Sequence, residues 1–374
     1  MADNEFPAGE RIVELAEKQA RLQRFLAENA LDALLISRHE NIAWATAGLV
    51  DVRIGLPRET GAASLLITRG GDRYCLTTNN EAPRLEAEEF AGLNYQPVIQ
   101  PWYSNDPVAS ARRIVGSGKL AGDDAASGLP LMSMKPLRLS MTEGEIARYR
   151  WLGRNVADVV TEALLALRPG MTEAAMQAIV GEGLLARSIM PSVFLTAVDD
   201  RVRAYRHAVP RDGVLKRFGM LNFCARRWGL SVSITRFVHF GAMPAELEEK
   251  FAAAARVNAA MLHATREGVT ANALYSRALQ AYAEQGYPGE EQMHHQGGAT
   301  GYWEREWIAR PGGSERVQNN QAMAWNPSLQ GAKVEDTVLL RGEEIEILTR
   351  TPSLAIVETS LDGRVYRSAG VLVA

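Results

Sequence analysis

Apolar residues recur along the N-terminal part of the chain, first with a helical period and then with a strand-like one. Between Ile12 and Glu28 they follow helical spacing, and the helix predicted there leads into a short apolar run at 33–37 that is typical of a buried strand. A second helix is predicted to begin at His39. Two further runs, 63–68 and 73–77, flank a pair of glycines and indicate a hairpin. This alternation predicts an α/β unit.

A stretch rich in glycine, serine and proline, residues 116–140, indicates a domain boundary. We therefore divide the chain into an N-terminal α/β domain, residues 1–138, and a C-terminal domain, residues 139–374. Thr142 and Glu145 have the spacing of a capping box, which predicts the start of a long helix in the second domain.

The order of predicted elements in the second domain repeats. The long helix ends at Pro169-Gly170, before a second helix, and roughly one hundred residues later a pair of helices is predicted at 244–263 and 271–285. Each pair is followed by strand-like, turn-rich sequence. We interpret this as an internal duplication, which predicts an α+β fold whose second domain consists of two pseudo-symmetric halves with a site at their seam.

Composition excludes several classes of protein. Of the 374 residues 47% are hydrophobic and 23% charged, with a formal net charge of −3, which is unlike a basic nucleic-acid binder. The two cysteines, Cys75 and Cys224, form no CxxC pair, which fits a reducing compartment. The sequence has no apolar signal core and no run of the roughly 18 apolar residues that a membrane span needs. We expect a cytoplasmic protein without membrane or nucleic-acid partners.

Four segments of the second domain place polar side chains in or beside apolar strand-like sequence, where burying them unpaired costs ~1–3 kcal/mol each. The candidate site residues in these segments are Arg206 and His207; Asn222 and Ser233; His294, Tyr302 and Arg305; and Asn326 and Glu335.

Each segment also has a simpler interpretation. His207 fits a surface turn, and Glu335-Asp336 fits a solvated turn. His294 and His295 are possible metal ligands, but we expect adjacent histidines to point in different directions, and no HExxH motif is present. Gly297-Gly298 lacks the frame of a phosphate-binding loop and fits a tight strand connection.

Taken in order, these segments resemble the creatinase, prolidase and aminopeptidase P family, whose catalytic domain has the pita-bread fold. The resemblance extends over nearly the whole chain. Residues 33–48 are similar to part of the family's N-terminal domain, and residues 220–241 match its pattern LLDxGxxxxGYxSDxTRTxxxG. Residues 322–328 and 332–340 are similar to two later patterns, GMVxxxEPG and xRxEDTVLV.

The departures from the family concern its metal ligands. The two metal-bridging aspartates correspond to Asn222 and Ser233, the metal-binding histidine to Gly298 and the first metal-binding glutamate to Asn326, so that only Glu335 remains of five ligands. Hard divalent cations prefer several anionic oxygen ligands. These departures therefore predict that the chain has no catalytic metal, and we expect no other cofactor. A prolidase-type peptidase activity is not expected, because it depends on metal-activated water.

The resemblance also implies which residues act. His207 corresponds to a family histidine that is important for proton transfer, and creatinase, a metal-free member, uses that histidine with carboxylates to hydrolyse a small guanidino compound. A histidine titrates near neutral pH, so it can activate water and then protonate a leaving nitrogen. We predict that His207 and Glu335 are catalytic. The predicted substrate-binding residues are Arg58, Arg206, Asn222, Ser233, His294, Tyr302, Arg305 and Asn326.

Arginine side chains indicate a carboxylate in the substrate, because a guanidinium binds a carboxylate in bidentate fashion. Arg206 and Arg305 lie in the site segments, with Arg305 at the position of a family histidine that contacts substrate. In creatinase an arginine from the N-terminal domain of the partner subunit also clamps the substrate, and Arg58 is its approximate counterpart. We therefore predict a homodimer in which that domain overhangs the site of the other subunit.

The predicted function is metal-independent hydrolysis of a C–N bond in a small carboxylate-bearing metabolite, such as a guanidino, amidino or cyclic amide compound. Two alternatives stay open. One is a non-catalytic pita-bread protein that binds peptides or proteins, as some relatives of the family do. The other is an Xaa-Pro-type peptidase with an atypical metal at His294, His295 and Glu335. The polar character of the replaced ligands favours the hydrolase.

Overall fold

The computed structural model describes residue 6 and residues 8–374, which form two compact units. Unit 1 comprises the described residues up to Arg138 together with Thr142–Glu145 and Trp228–Leu230. Unit 2 comprises Leu139–Met141, Ile146–Arg227 and Ser231–Ala374. Within the described part of the chain, no helix has both the length and the apolar character needed to cross a membrane.

Unit 1 has the alternating α/β organisation that the hydrophobic pattern predicts. Its elements are α1 (Ala8–Glu28), β1 (Ala33–Arg38), α2 (His39–Ala45), β2 (Thr60–Thr68), β3 (Arg73–Thr78), α3 (Ala82–Arg84), β4 (Gln96–Gln100), α4 (Pro107–Val115), β5 (Leu120–Gly122) and α5 (Lys135–Arg138).

The strands of unit 1 form one sheet in the order β4-β3-β2-β1-β5. The predicted hairpin is confirmed as β2 and β3, which pair antiparallel with Ala63 opposite Thr77. Leu35, Leu66 and Leu120 belong to the buried cluster under this sheet. The segment 116–140 is less of a linker than its composition indicates, because it supplies β5 and α5.

The remaining helices follow the predicted duplication closely. They are α6 (Glu143–Ala166), α7 (Glu173–Ala186), α8 (Asp200–Ala204), α9 (Ala245–Ala264) and α10 (Ala271–Glu284). The capping box at the start of α6 is present, since Glu145 Oε2 accepts from the Thr142 backbone N–H at 2.7 Å and Thr142 Oγ1 accepts from the Glu145 N–H at 3.1 Å. Thr172 and Thr270 cap α7 and α10 in the same way, each with a hydroxyl that accepts a backbone N–H three residues on.

Two sheets and two hairpins follow the helix pairs of unit 2. One sheet has the order β18-β8-β7-β6, from β6 (Met190–Val198), β7 (Phe218–Arg227), β8 (Leu230–His239) and β18 (Leu372–Val373). The other has the order β10-β9-β11-β14-β15, from β9 (Gly297–Thr300), β10 (Trp307–Ile308), β11 (Gln321–Trp325), β14 (Asp336–Arg341) and β15 (Glu344–Ile347). The hairpins are β12 (Ser328–Leu329) with β13 (Ala332–Lys333), and β16 (Ile356–Leu361) with β17 (Arg364–Ala369).

Helix α9 contributes to the core beneath both sheets. Near its start Phe251 packs edge-on against Phe237 of β8, with ring centroids 4.9 Å apart. Near its end Met261 belongs to a second buried cluster, which includes Met323 of β11. An isolated antiparallel bridge between Thr235 and Glu335 joins the two sheets directly, and this bridge lies at the candidate site.

Candidate active site

A two-residue turn fixes the hairpin that carries the first site residues. Trp228 and Gly229 connect β7 to β8 with φ of 52° and 80°, and two positive φ angles define the tight turn that suits antiparallel strands. The hydroxyl of Ser233 lies 3.1 Å from Cys224 Sγ across this hairpin, and the amide of Asn222 donates to Thr235 Oγ1. The turn therefore brings the side chains of both strands into a single polar row.

Glu335 lies in the middle of this row and is almost completely buried, with 3% of its surface exposed. Its Oε2 accepts from Asn222 Nδ2 at 2.6 Å and from Thr235 Oγ1 at 2.5 Å, and lies 3.0 Å from Lys333 Nζ. Its Oε1 accepts from an Arg305 guanidinium N–H at 3.1 Å. We call these five residues the carboxylate cluster. The interpretation of Glu335 as part of a solvated turn is wrong.

Two cations keep this carboxylate ionised. Burial alone would raise the pKa of Glu335, but the charges of Lys333 and Arg305 and the Thr235 hydroxyl outweigh burial and lower the pKa to about 2. Glu335 is therefore an anion at neutral pH, and both of its oxygens already accept hydrogen bonds from the protein.

Arg305 also reaches a second position at which the resemblance implies a metal ligand. While one of its nitrogens donates to Glu335, another donates to Ser233 Oγ at 2.9 Å. The guanidinium thus lies between two positions at which the resemblance implies metal ligands, and its side chain is 13% exposed.

The last two positions at which the resemblance implies metal ligands are Gly298 and Asn326. A Cβ atom added at Gly298 would lie 2.0 Å from the carbonyl oxygen of Trp307, because β10 pairs closely with β9 at this point. Asn326 is buried, and its Oδ1 has no hydrogen-bond partner among the residues that the structure describes.

These residues do not fit a pair of divalent metal ions. The five positions offer one carboxylate, two amides, a hydroxyl and a glycine, whereas hard cations need several anionic oxygens. The one carboxylate is engaged by Lys333 and Arg305, whose positive charges disfavour a metal ion beside them.

Three histidine side chains form a second group, which we call the histidine cluster. His207 lies in an exposed bend after α8, and its Nε2 is 2.9 Å from Nε2 of His294. The rings of His294 and His295 stack at 4.4 Å with an interplanar angle of 26°. The expectation that these adjacent side chains point in different directions is wrong, since the irregular backbone before β9 turns both rings to the same side.

The histidines of this cluster are neutral at pH 7. Burial, followed by the charge of Lys333, lowers the pKa of His294 to about 2, and burial and the charge of Arg305 lower the pKa of His295 to about 4. Desolvation and the charge of Lys333 also lower the pKa of His207, against the opposing effect of Glu335. The cations of the carboxylate cluster thus act electrostatically on the histidine cluster.

Three of the predicted site residues are placed elsewhere or are engaged with other groups. Arg206 forms an ion pair with Glu290, and its other terminal nitrogen donates to Ser328 Oγ at 3.1 Å. Tyr302 is fully buried. Arg58 is exposed and lies in unit 1, before β2.

Two residues of the carboxylate cluster, Lys333 and Thr235, are not among the predicted site residues. Both lie inside motifs that carry the family resemblance, so a signal for them was available in the sequence. Thr235 lies one hundred residues along the chain from its hydrogen-bond partner Glu335. The contact between His207 and His294 spans 87 residues, and no local pattern predicts it.

Comparison with known proteins identifies the family and the fold. The family model described as Metallopeptidase family M24 matches residues 147–342, more than half of the chain. A search of curated proteins finds no match.

Solved structures with the same fold cover nearly the whole chain. An Xaa-Pro dipeptidase from Bacillus anthracis is 17% identical, with a TM-score of 0.74, over 96% of this chain and 100% of that one. A prolidase from Pyrococcus furiosus is 18% identical, with a TM-score of 0.70, over 88% and 99%. The N-terminal domain of a FACT complex subunit from Cicer arietinum (chickpea) is 14% identical, with a TM-score of 0.66, over 91% and 97%. The predicted pita-bread fold is thereby confirmed.

Proposed function

This chain belongs to metallopeptidase family M24, and from that premise we propose that it is a hydrolase that cleaves a C–N bond without a catalytic metal. The proposed substrate is a small carboxylate-bearing metabolite of the guanidino, amidino or cyclic amide type. The observation that carries the proposal is the position of His207. It is an exposed, neutral imidazole whose pKa is lowered by desolvation and by the charges of Lys333 and Arg305.

His207 is the proposed general acid and base. In its neutral form it accepts a proton from water while the water oxygen bonds to the carbon of the C–N group. The C–N bond then breaks, and the imidazolium returns the proton to the leaving nitrogen. Water is thus divided between the two products, and the histidine is regenerated. The lowered pKa of His207 favours the base form in which the cycle begins.

Lys333 and Arg305 are the proposed binding groups for the substrate carboxylate. Arg305 is better suited than Arg206, because Arg206 is already paired with Glu290. Glu335 holds both cations in position, with oxygens 3.0 Å from Lys333 Nζ and 3.1 Å from the Arg305 guanidinium. In this proposal Glu335 is a positioning residue, and the catalytic role given to it in the sequence analysis stays a prediction.

The test is an assay of metal-free protein against a panel of guanidino, amidino and cyclic amide carboxylates. Protein treated with a chelator should hydrolyse at least one compound, and His207→Ala should lower kcat/KM by about 10²–10⁴-fold. Tyr205→Ala is the matched control, because Tyr205 is an exposed residue of the same segment. Undiminished activity in His207→Ala would overturn the assignment of the base.

A non-catalytic binding protein is the second candidate, and one observation favours it. Two cationic side chains, Lys333 and Arg305, contact the Glu335 carboxylate, at a position where the resemblance implies a metal ligand. If no compound of the panel is hydrolysed but one binds to the wild-type chain, and Arg305→Ala weakens that binding, this second candidate replaces the hydrolase.

The homodimer also belongs to the proposal. Arg58 of one subunit is proposed to reach the substrate of the other, as the resemblance to creatinase implies. Mixing Arg58→Ala chains with His207→Ala chains tests this, because mixed dimers would regain one intact site. Failure to regain activity, together with a monomeric mass in solution, would contradict the shared site.

A further inference from the structure

We propose that the histidine cluster is a binding site for one late first-row divalent cation, of which Zn²⁺ is the representative. The site is formed by one ring nitrogen from each of His207, His294 and His295, and these three atoms all lie within 4.8 Å of one another. None of the three residues occupies a position of the five family metal ligands, so this site is distinct from the one that the fold implies.

The spacing of the rings is close to that of a three-histidine metal site. Zinc binds imidazole nitrogen at roughly 2.0–2.1 Å, which separates neighbouring nitrogens by about 3.3–3.4 Å in a tetrahedral site. The Nε2 atoms of His207 and His294 are 2.9 Å apart, and the His207 and His295 ring centroids are 6.2 Å apart. Small rotations of the exposed His207 side chain suffice to open the closer pair.

Unpartnered ring nitrogens give independent support. Nδ1 of His294 and Nδ1 of His295 are both buried, and neither has a hydrogen-bond partner within the described part of the chain. A buried polar atom without a partner costs ~1–3 kcal/mol and calls for an explanation, of which a bound ion is one. The unpartnered Nδ1 of His295 is thus available to an ion, while His294 offers its Nε2, the atom that lies 2.9 Å from Nε2 of His207.

The chemistry of the donors selects the cation. Three imidazoles and no carboxylate suit Zn²⁺, Cu²⁺, Ni²⁺ or Co²⁺, and do not suit Mg²⁺ or Ca²⁺. Glu335 is not one of the ligands, because its oxygens are engaged within the carboxylate cluster. Three protein ligands leave one coordination position open, which is the arrangement of an accessible site.

A cation at this site has a consequence for the reaction, which rests on the proposed function. The ring nitrogen of His207 that binds a metal ion has no lone pair left with which to accept a proton from water. The cation is therefore an inhibitor of the proposed hydrolase, and the site links activity to the supply of free Zn²⁺.

The test measures binding first and separately from activity. Chelator-treated protein is titrated with ZnCl₂ by isothermal calorimetry, and CoCl₂ is added to a second sample to record the visible absorption of tetrahedral cobalt. We expect one ion per chain and, in His294→Gln and in His295→Gln, a dissociation constant at least about tenfold higher. His263→Gln is the control, since His263 is paired with Tyr366 at 3.0 Å outside the cluster. Melting curves verify that each variant is folded.

Two results overturn the site. One is the absence of stoichiometric zinc binding by wild-type protein. The other is binding that survives in the double variant His294→Gln, His295→Gln. Inhibition is measured only with a compound of the panel that the protein hydrolyses. One equivalent of Zn²⁺ should abolish its turnover, and a chelator should restore it. Zinc binding without inhibition would overturn only the link to His207, and inactivity on the whole panel would overturn only the proposed function.

Discussion

Around Glu335 both carboxylate oxygens accept hydrogen bonds from the protein, whereas in the histidine cluster two ring nitrogens are buried without a partner in the described structure. The carboxylate cluster contains opposite charges that compensate one another. The histidine cluster is neutral and open on the side of His207. The two groups interact electrostatically, since Lys333 lowers the pKa of His207 and of His294.

This difference separates two roles that a family metal site combines. In a metal site, the ligands hold the ion and the ion activates water. Here the carboxylate cluster holds two cations in fixed contact with a buried anion, and the unpartnered ring nitrogens lie in the histidine cluster. We therefore expect changes in the carboxylate cluster to act mainly on stability and substrate affinity, and changes in the histidine cluster to act mainly on reaction rate and cation binding.

The largest stability effect is expected for Glu335→Gln. The substitution removes the anion between Lys333 and Arg305, and an uncompensated buried charge costs roughly 3–5 kcal/mol. The loss should depend on pH with a definite sign. Because the folded pKa is about 2 and the ordinary value is 4.5, the stabilisation by Glu335 is complete above about pH 5 and declines as the pH falls towards 2.

Urea unfolding of wild type and Glu335→Gln at pH 7 and pH 3 measures this effect. Glu343→Gln is the control, because Glu343 pairs with Arg364 at 3.2 Å on the surface, where an ion pair contributes about 1 kcal/mol or less. Equal unfolding free energies for wild type and Glu335→Gln at pH 7 would mean that the cluster is not a compensated charge pair.

A somewhat smaller loss of stability is expected for Gly298→Ala. The added methyl group meets the Trp307 carbonyl oxygen at 2.0 Å, so β10 has to shift, at a cost of about 3 kcal/mol. Gly70→Ala is the matched control, because its Cβ would have no neighbour closer than 3.7 Å. Thermal melting distinguishes the two, and a Gly298→Ala protein as stable as Gly70→Ala would show that position 298 still has room for a ligand side chain.

The variant Asn222→Asp adds a second negative charge to the carboxylate cluster. It replaces a donor to Glu335 by a second carboxylate, which should destabilise the fold by roughly 1–3 kcal/mol at pH 7. Two carboxylates at one site raise the pKa of one of them, so this penalty should shrink as the pH falls. Asn222→Ala loses the same hydrogen bonds without adding a charge, and its penalty should be nearly constant between pH 4 and 7. If Mn²⁺ raises the melting temperature of Asn222→Asp, a metal ion can bind at the family position once a second carboxylate is present.

The smallest expected effect concerns the pH dependence of the rate. His207 acts in its neutral form, and its pKa is lowered, so the acidic limb of kcat/KM should lie below the ordinary histidine value of about 6.5. Lys333→Met removes a charge that lowers this pKa and should move the limb to higher pH. An acidic limb at the same pH in Lys333→Met as in wild type would show that the charge of Lys333 does not act on His207.

Local signals in the sequence predicted most of the fold. Thr142 and Glu145 mark the start of α6 because a capping box satisfies backbone N–H groups within one turn. The predicted start of α10 at Ala271 agrees with the structure, where the Thr270 hydroxyl accepts from the Ala273 N–H. The spacing of apolar residues that predicts α1 and the β2–β3 hairpin also depends only on residues close together in the chain.

The site was predictable only in part, because its chemistry depends on pairs that are distant in sequence. The family motifs identified Glu335, Asn222 and Ser233, but not that Arg305 would join Glu335 to Ser233. Nor does a pattern in the chain state that His207 meets His294. The long-range strand pairing that brings β8 to Glu335 creates these contacts, and a linear motif does not encode it.

The close pairing of β9 and β10 at Gly298 also limits how this protein can be re-engineered. A histidine introduced there has nowhere to place its first side-chain atom until the Trp307 backbone has moved, so the metal ligand set is not recoverable by exchanging side chains one at a time. Any route from this chain back to a dinuclear enzyme begins with redesign of the 301–308 connection, and only afterwards with the ligands themselves.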